Sequence, residues 1–321
     1  MKPELAISLG DPAGIGPEIT LRAAAAPAVR RACRLVVYGD KRVLELAKAR
    51  LPSTRTTAIT EVRQTGALRV RSSLPKPGRS AGAAAFAFLD SAARAVLAGE
   101  HDGLVTAPIN KFWMQRAGHD YDGHTGYLSE LTGHKATMML AGRELRVVLA
   151  TTHIAHRDVA RRLTSQAIVD AARSTVAHLK QYHGLKKPRL AVAALNPHAG
   201  EGGLFGDEEA RIIVPALRQL KRSKLAIEGP LPADTLFATA RTGYYDAVVC
   251  MYHDQALIPL KLLEFGRSVN VSMGLPLIRT SPDHGTAYDL AGTGEAKPES
   301  MIEAILAAAR MASAKVGRRK Q

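Results

Sequence analysis

The stretch Ala247-Val-Val-Cys-Met-Tyr-His-Asp-Gln-Ala-Leu-Ile-Pro-Leu-Lys261 decides how the rest of the chain is read. Its first four residues are an apolar run bounded by polar neighbours, the mark of a short buried strand. A histidine with an adjacent carboxylate follows at once. A strand running into a histidine occurs twice more upstream: Leu145 to Ala150 runs into Thr151-Thr-His153, and Leu190 to Leu195 runs into Asn196-Pro-His198. His153, His198 and His253 therefore each stand just past the carboxyl end of an expected strand, where open α/β sheets bind ligands. Three neutral imidazoles converging there would make a metal site with open positions, as in catalytic rather than structural zinc. One histidine in such a place is more commonly a loop or capping residue. The shared context of the three carries the expectation; their spacing does not.

Outward from that stretch, strands and helices alternate. Leu5 to Leu9 reads as a strand, followed by Gly10-Asp-Pro-Ala-Gly-Ile-Gly-Pro-Glu18, where Pro17 suits the first turn of a helix. The glycines allow a tight turn, but the spacing is not the dinucleotide-binding G-x-G-x-x-G. Leu35 to Tyr38 and Gly103 to Thr106 are further strands, and Ala81 to Ala98 is an alanine-rich helix. The alternation predicts a mainly parallel sheet covered by helices. Gly123-His124-Thr125-Gly126 opens a helix whose free N–H groups suit an anion, although a surface cap is the plainer reading. Asp234, near the start of another helix, reads first as an N-cap. The glycine- and proline-containing loop from Gly274 to Gly294 is long enough to suggest function.

The length of 321 residues favours two domains. No apolar run suggests a membrane span, and the N-terminus lacks a signal-peptide core. Cys33 and Cys250 lie beside apolar runs and read as buried thiols, which points to a reducing, cytoplasmic setting. The net charge is +15, but the basic residues are scattered, apart from a cluster in Gly317-Arg-Arg-Lys-Gln321. Without an aromatic and basic platform, a solvated surface and an anionic ligand explain the charge better than nucleic acid does.

Seven ordered motifs then carry a resemblance: Gly10 to Glu18, Thr106-Ala-Pro-Ile-Asn-Lys111, Gly123-His-Thr125, Thr151-Thr-His153, Asn196-Pro-His-Ala-Gly-Glu-Gly202, Met251-Tyr-His-Asp-Gln255 and Arg279-Thr-Ser-Pro-Asp-His-Gly-Thr-Ala287. From residue 5 to about 312 the chain resembles the 4-hydroxythreonine-4-phosphate dehydrogenase family of pyridoxal phosphate biosynthesis. It is more distantly similar to isocitrate and isopropylmalate dehydrogenases, whose late loop, here His284 to Gly292, holds NAD.

The resemblance implies an α/β fold of two α/β/α domains with mainly parallel sheets. It implies NAD, with NADP as the alternative, held by His284, Gly285, Thr286, Ala287, Asp289 and Gly292. A divalent ion, zinc, magnesium or cobalt, would sit on His153, His198 and His253. Substrate contacts would be His124, Thr125, Lys261, Asn270 and Arg279, in a homodimer whose subunits share each active site. Asp254 and Asp234 are the candidates for base or ligand-orienting work. Because the glycine turn and the late loop must meet around one NAD, the expected cofactor-side domain is 1–117 with 265–321. Residues 118–264 form the expected metal, substrate and dimerisation domain.

The implied reaction is oxidation of 4-phosphohydroxy-L-threonine and decarboxylation to 3-amino-2-oxopropyl phosphate. Gly126, Ala155-His156 and Ala256 depart from the family pattern beside the expected site. They leave 4-phospho-threonate or 4-phospho-erythronate as alternative substrates. A metal-dependent hydrolase built on the same histidines is the rival class; the His284 to Gly292 loop argues against it.

Overall fold

The computed structural model describes residues 2–51, 56–70 and 72–319. Lys320 and Gln321, the end of the basic tail cluster, lie outside them. In chain order the first elements are β1 (Glu4–Ser8), α1 (Gly16–Ala25), α2 (Pro27–Ala32), β2 (Arg34–Gly39), α3 (Lys41–Lys48), β3 (Ile59–Gln64), α4 (Arg79–Leu97), β4 (Gly103–Thr106), α5 (Lys111–Arg116) and α6 (Gly123–Thr132). Next come β5 (Thr137–Ala141), β6 (Arg146–Leu149), α7 (Val159–Arg162), α8 (Ser165–His183), β7 (Arg189–Ala193), α9 (Val214–Arg222), β8 (Ala226–Leu231) and α10 (Ala233–Ala240). The chain closes with β9 (Ala247–Cys250), α11 (His253–Glu264), β10 (Val269–Met273), β11 (Arg279–Pro282) and α12 (Glu299–Arg319).

The chain divides into two compact units, 1–136 with 275–321, and 137–274. In the first, five parallel strands lie in the order β3-β2-β1-β4-β11. Leu5, Ala6 and Ile7 are all fully buried, so both faces of the central strand are covered, as parallel sheets require. Helix α4 packs over β1, β2 and β4, and α12 over β1, β4 and β11. Helix α4 has the length and composition of a helix that could cross a bilayer. Here Ala85, Phe88, Leu89, Ala92 and Ala93 turn it into a core helix against the sheet.

In the second unit the order is β10-β5-β6-β9-β7-β8. Strands β6, β9, β7 and β8 are parallel, while β5 runs antiparallel to β10 and β6. Its core joins Val147, Leu149, Ala191, Val248 and Cys250 with Leu257 and Leu260 of α11.

The units divide at 136/137 and 274/275 rather than at the expected 117/118 and 264/265. Tyr127 and Leu128 of α6 are buried in the first unit's core, which holds that helix with the N-terminal strands. Strand β10 forms a five-residue ladder with β5, which holds it in the second unit.

Candidate active site

In the second unit, parallel pairing sets the histidines. Strands β6 and β9 run in register up to Leu149 opposite Cys250. The pairing continues past the strand ends, where Ala150 N–H donates to Cys250 O at 2.9 Å and the Thr151 hydroxyl to Met251 O at 2.6 Å. His153 and His253 follow within three residues on each chain segment, and their ring centroids lie 5.6 Å apart. Gln255 locks the turn between β9 and α11: it accepts from Met251 N–H at 2.7 Å and donates to Ala194 O at 2.6 Å.

His253 is the first residue of α11, and its Nδ1 meets Asp254 Oδ1 at 2.7 Å. That bond fixes the imidazole and leaves Nε2 as the nitrogen for a ligand, the usual arrangement behind a metal-bound histidine. Two imidazoles at this spacing fit a shared divalent ion. Among the described residues, no group of three or more His, Cys, Asp or Glu side chains is placed to hold a metal. One chain therefore brings His153 and His253 together without completing the expected trio.

His198 follows β7 in a loop of unusual backbone. His198, Ala199, Gly200, Glu201 and Gly202 all have positive φ, between 42° and 79°. The buried Glu209 carboxylate anchors the loop's entrance by accepting from the N–H groups of Leu195 and Asn196, both at 2.8 Å. His198 is exposed and lines an open cleft of about 560 Å³ within this unit. Asp234, also exposed, lines the same cleft. The N-cap of α10 is Pro232, so Asp234 is not a cap. Lys261 is half-buried on α11, and Asn270 on β10 has a buried side-chain oxygen with no hydrogen-bond partner.

In the first unit, Arg279 of β11 lies opposite Leu104 of β4. The side chain is buried, and its Nη2 donates to the Thr106 hydroxyl at 2.8 Å. Burial pulls the Arg279 pKa down to about 10, which still leaves the guanidinium charged at neutral pH. Next to it, His124 is held well below the ordinary imidazole range, first by burial and then by the charges of Arg279 and Lys111. His124 is therefore neutral, and its buried Nε2 has no protein partner. Lys111 is paired with Asp122 at 2.5 Å, just before α6, where Gly123, His124 and Thr125 open the helix. A buried guanidinium, a neutral imidazole and a helix start form a setting for an anion. Thr106 and Lys111 stood in a quoted motif without an assigned role; their alignment beside Arg279 and His124 comes from β4 and α5, not from local sequence.

The late loop folds onto the N-terminal glycine turn. Ile15 N–H donates to Thr286 O at 2.9 Å, the Tyr288 hydroxyl to Asp11 at 2.6 Å, and Gly292 N–H to Glu18 at 2.5 Å. A Cβ on Gly14 would lie 2.7 Å from Thr286 O, so only glycine permits this approach. Ala287 has φ 41°, Thr286 is buried, and His284, Gly285 and Asp289 are exposed around the docked backbone. Asp11, Glu18 and Tyr288 were not among the expected site residues. Their long sequence separations hide them. The meeting of turn and loop suits a ligand held by backbone and by a few polar side chains.

The family model described as "Pyridoxal phosphate biosynthetic protein PdxA" matches residues 31–308. The 4-hydroxythreonine-4-phosphate dehydrogenase of Geobacter metallireducens is 50% identical over 98% of this chain and 97% of its own. This chain belongs to that family. Among solved structures, the 4-hydroxythreonine-4-phosphate dehydrogenase of Klebsiella pneumoniae matches with a TM-score of 0.87 and 39% identity, over 97% of this chain and 98% of that one. A terephthalate 1,2-cis-dihydrodiol dehydrogenase from Burkholderia xenovorans matches at 0.68 and 30%, over 97% and 98%. The PdxA fold is thus a mixed, mostly parallel α/β fold, as the alternation of elements predicted, and the family is one of dehydrogenases.

Proposed function

We propose that this chain oxidises 4-phosphohydroxy-L-threonine with NAD and a divalent metal, and that the product decarboxylates to 3-amino-2-oxopropyl phosphate for pyridoxal 5'-phosphate synthesis. Membership of the PdxA family, with 50% identity to a relative of that name, carries this reading. His153, His198 and His253 would hold the ion, which as a Lewis acid would ease loss of the substrate hydroxyl proton. NAD, when bound, accepts the hydride; His284, Gly285, Thr286, Ala287, Asp289 and Gly292 would hold it.

Arg279, His124 and Thr125 would take the phosphate. Arg279 supplies charge, and His124 offers an Nε2 that no protein group occupies. Lys261 and Asn270 are proposed as further substrate contacts; the unpartnered oxygen of Asn270 suits a ligand donor. Asp254 would act as a positioning residue through its bond to His253.

The chain would work as a cytoplasmic homodimer with a shared site, which would supply the third imidazole that one chain does not bring to the other two. An exposed apolar stripe on and just after α11 supports that assembly: Ile258, Leu262 and Phe265 are 67%, 84% and 83% exposed. Buried thiols at Cys33 and Cys250 accord with a reducing compartment.

The test is NADH formation from 4-phosphorylated hydroxythreonine, threonate and erythronate, with NAD or NADP and with zinc, magnesium or cobalt. Hydroxythreonine phosphate is expected to lead by at least about tenfold in kcat/KM. Preference for a sugar acid would establish the alternative substrate. Phosphate release without NADH would establish a hydrolase.

A further inference from the structure

Helix α1 carries two charged side chains that hold one distant segment of the first unit. Glu18 stands in its first turn and Arg22 in its last, on one face of the helix. Each charge suits its end of the helix dipole. Glu18 Oε1 accepts from Gly292 N–H, and Arg22 Nη1 donates to Gly294 O at 2.9 Å and to Ala296 O at 2.8 Å. Further upstream, Ile15 N–H holds Thr286 O, and Asp11 accepts from the Tyr288 hydroxyl. Positions 11, 15, 18 and 22 thus meet 286, 288, 292 and 294–296 with both ends of the loop tied to the glycine turn and α1. Between these ties the loop has only short turns of its own: Leu290, Ala291 and Thr293 donate to Ala287, Tyr288 and Leu290. Gly292 and Gly294 take φ of 82° and 77°. Gly285, Asp289, Thr293 and Glu295 are exposed, so little apolar burial is there to order the loop. Arg22 is its last hold before the buried Ala296 leads on to α12.

We infer that Arg22 is a positioning residue for the cofactor: with Glu18 it orders the His284 to Gly292 loop before NAD arrives, so that binding does not bear the cost of ordering it. This rests on the cofactor reading above and deepens it. Arg22 acts through the loop backbone. A loop already held in its binding form gains affinity because that ordering cost is removed. One guanidinium nitrogen on two carbonyl oxygens makes two charge-assisted bonds. Their loss is expected to weaken NAD about tenfold to a hundredfold. An arginine that served only to tie down the approach to α12 would leave NAD affinity unchanged.

The test compares wild type, Arg22→Met and Arg22→Lys as zinc-loaded full chains. Amide hydrogen exchange over residues 285–296 is measured without NAD, and NAD is then titrated by calorimetry. Arg22→Met is expected to speed exchange in the loop about tenfold, with β1 and β4 unchanged, and to weaken NAD at least about tenfold. Arg22→Lys keeps the charge and should recover most of both. Unchanged exchange in Arg22→Met, or faster exchange with NAD affinity intact, overturns the inference. Equal loss of protection in β1 and β4 also overturns it, because Arg22 would then serve general stability. A wild type that binds no NAD refutes the cofactor reading; faster loop exchange in Arg22→Met then still upholds the ordering of the loop by α1. NAD binding by wild type that Arg22→Met leaves unaffected refutes only the role of Arg22.

Discussion

Replacing Arg279 by Met is expected to stabilise the protein while impairing it. The guanidinium is buried on β11 with its pKa pulled down to about 10, the cause being burial. At pH 7, below both the folded and the unfolded value, the full cost of keeping that charge inside is present. A lowering of this size corresponds to about 3 kcal/mol. Methionine has similar length and no charge to bury. Loss of the bond to Thr106 takes back about 1 kcal/mol. Arg279 has a further interaction besides this bond, so the net gain is at most about 2 kcal/mol, or about 3 °C in Tm for a chain of this length. The same change removes the buried charge proposed for phosphate. Affinity for a phosphorylated substrate should fall about a hundredfold, and affinity for its unphosphorylated analogue by much less. Scanning calorimetry and ligand titration on the same variant read both quantities. A lower Tm with phosphate affinity intact would refute the reasoning, because Arg279 would then be a structural ion pair.

Three further changes follow the same logic. Burial, then the charges of His183 and Arg146, lower the His178 pKa to about 3, so its contribution to stability is complete above pH 6.5 and is lost as pH falls toward 3. At pH 5 that loss is about 2 kcal/mol, and His178→Leu should flatten the acid limb of a urea-unfolding series by that amount. Tyr288→Phe removes the donor to the buried Asp11 carboxylate; a cost of about 1–3 kcal/mol and a higher KM for NAD are expected, read by unfolding and steady-state kinetics. Asp254→Asn should weaken zinc affinity about tenfold to a hundredfold by loosening His253, measured by competition with a chelator.

The fold was legible where strands are short, apolar and buried on both faces. Ala247 to Cys250 could hardly be anything else, and its position put His253 at a strand end before any coordinates. The docking of the late loop on the glycine turn was foreseeable because one ligand would need both. Other features depend on partners far away in sequence. Strand β10 pairs with β5 across well over a hundred residues, so its unit could not be read locally. Glu209 and Glu264 are buried carboxylates that hold loop N–H groups, and nothing in a lone glutamate announces that. The positive-φ run from His198 falls partly on Ala and Glu, which rarely adopt that region; it turns His198 toward the cleft wall rather than into a trio within one chain. The alanine-rich α4 was legible as a helix, but its packing against β1, β2 and β4 is invisible to composition.

The proposed reaction is oxidation and decarboxylation of one phosphorylated amino acid at a histidine-bound metal. The most direct measurement is NADH and carbon dioxide released together from 4-phosphohydroxy-L-threonine by the zinc-loaded protein. One of each per turnover is expected, with both lost on chelation, restored by added metal, and not restored in His253→Ala. NADH formation that survives both chelation and His253→Ala would contradict it.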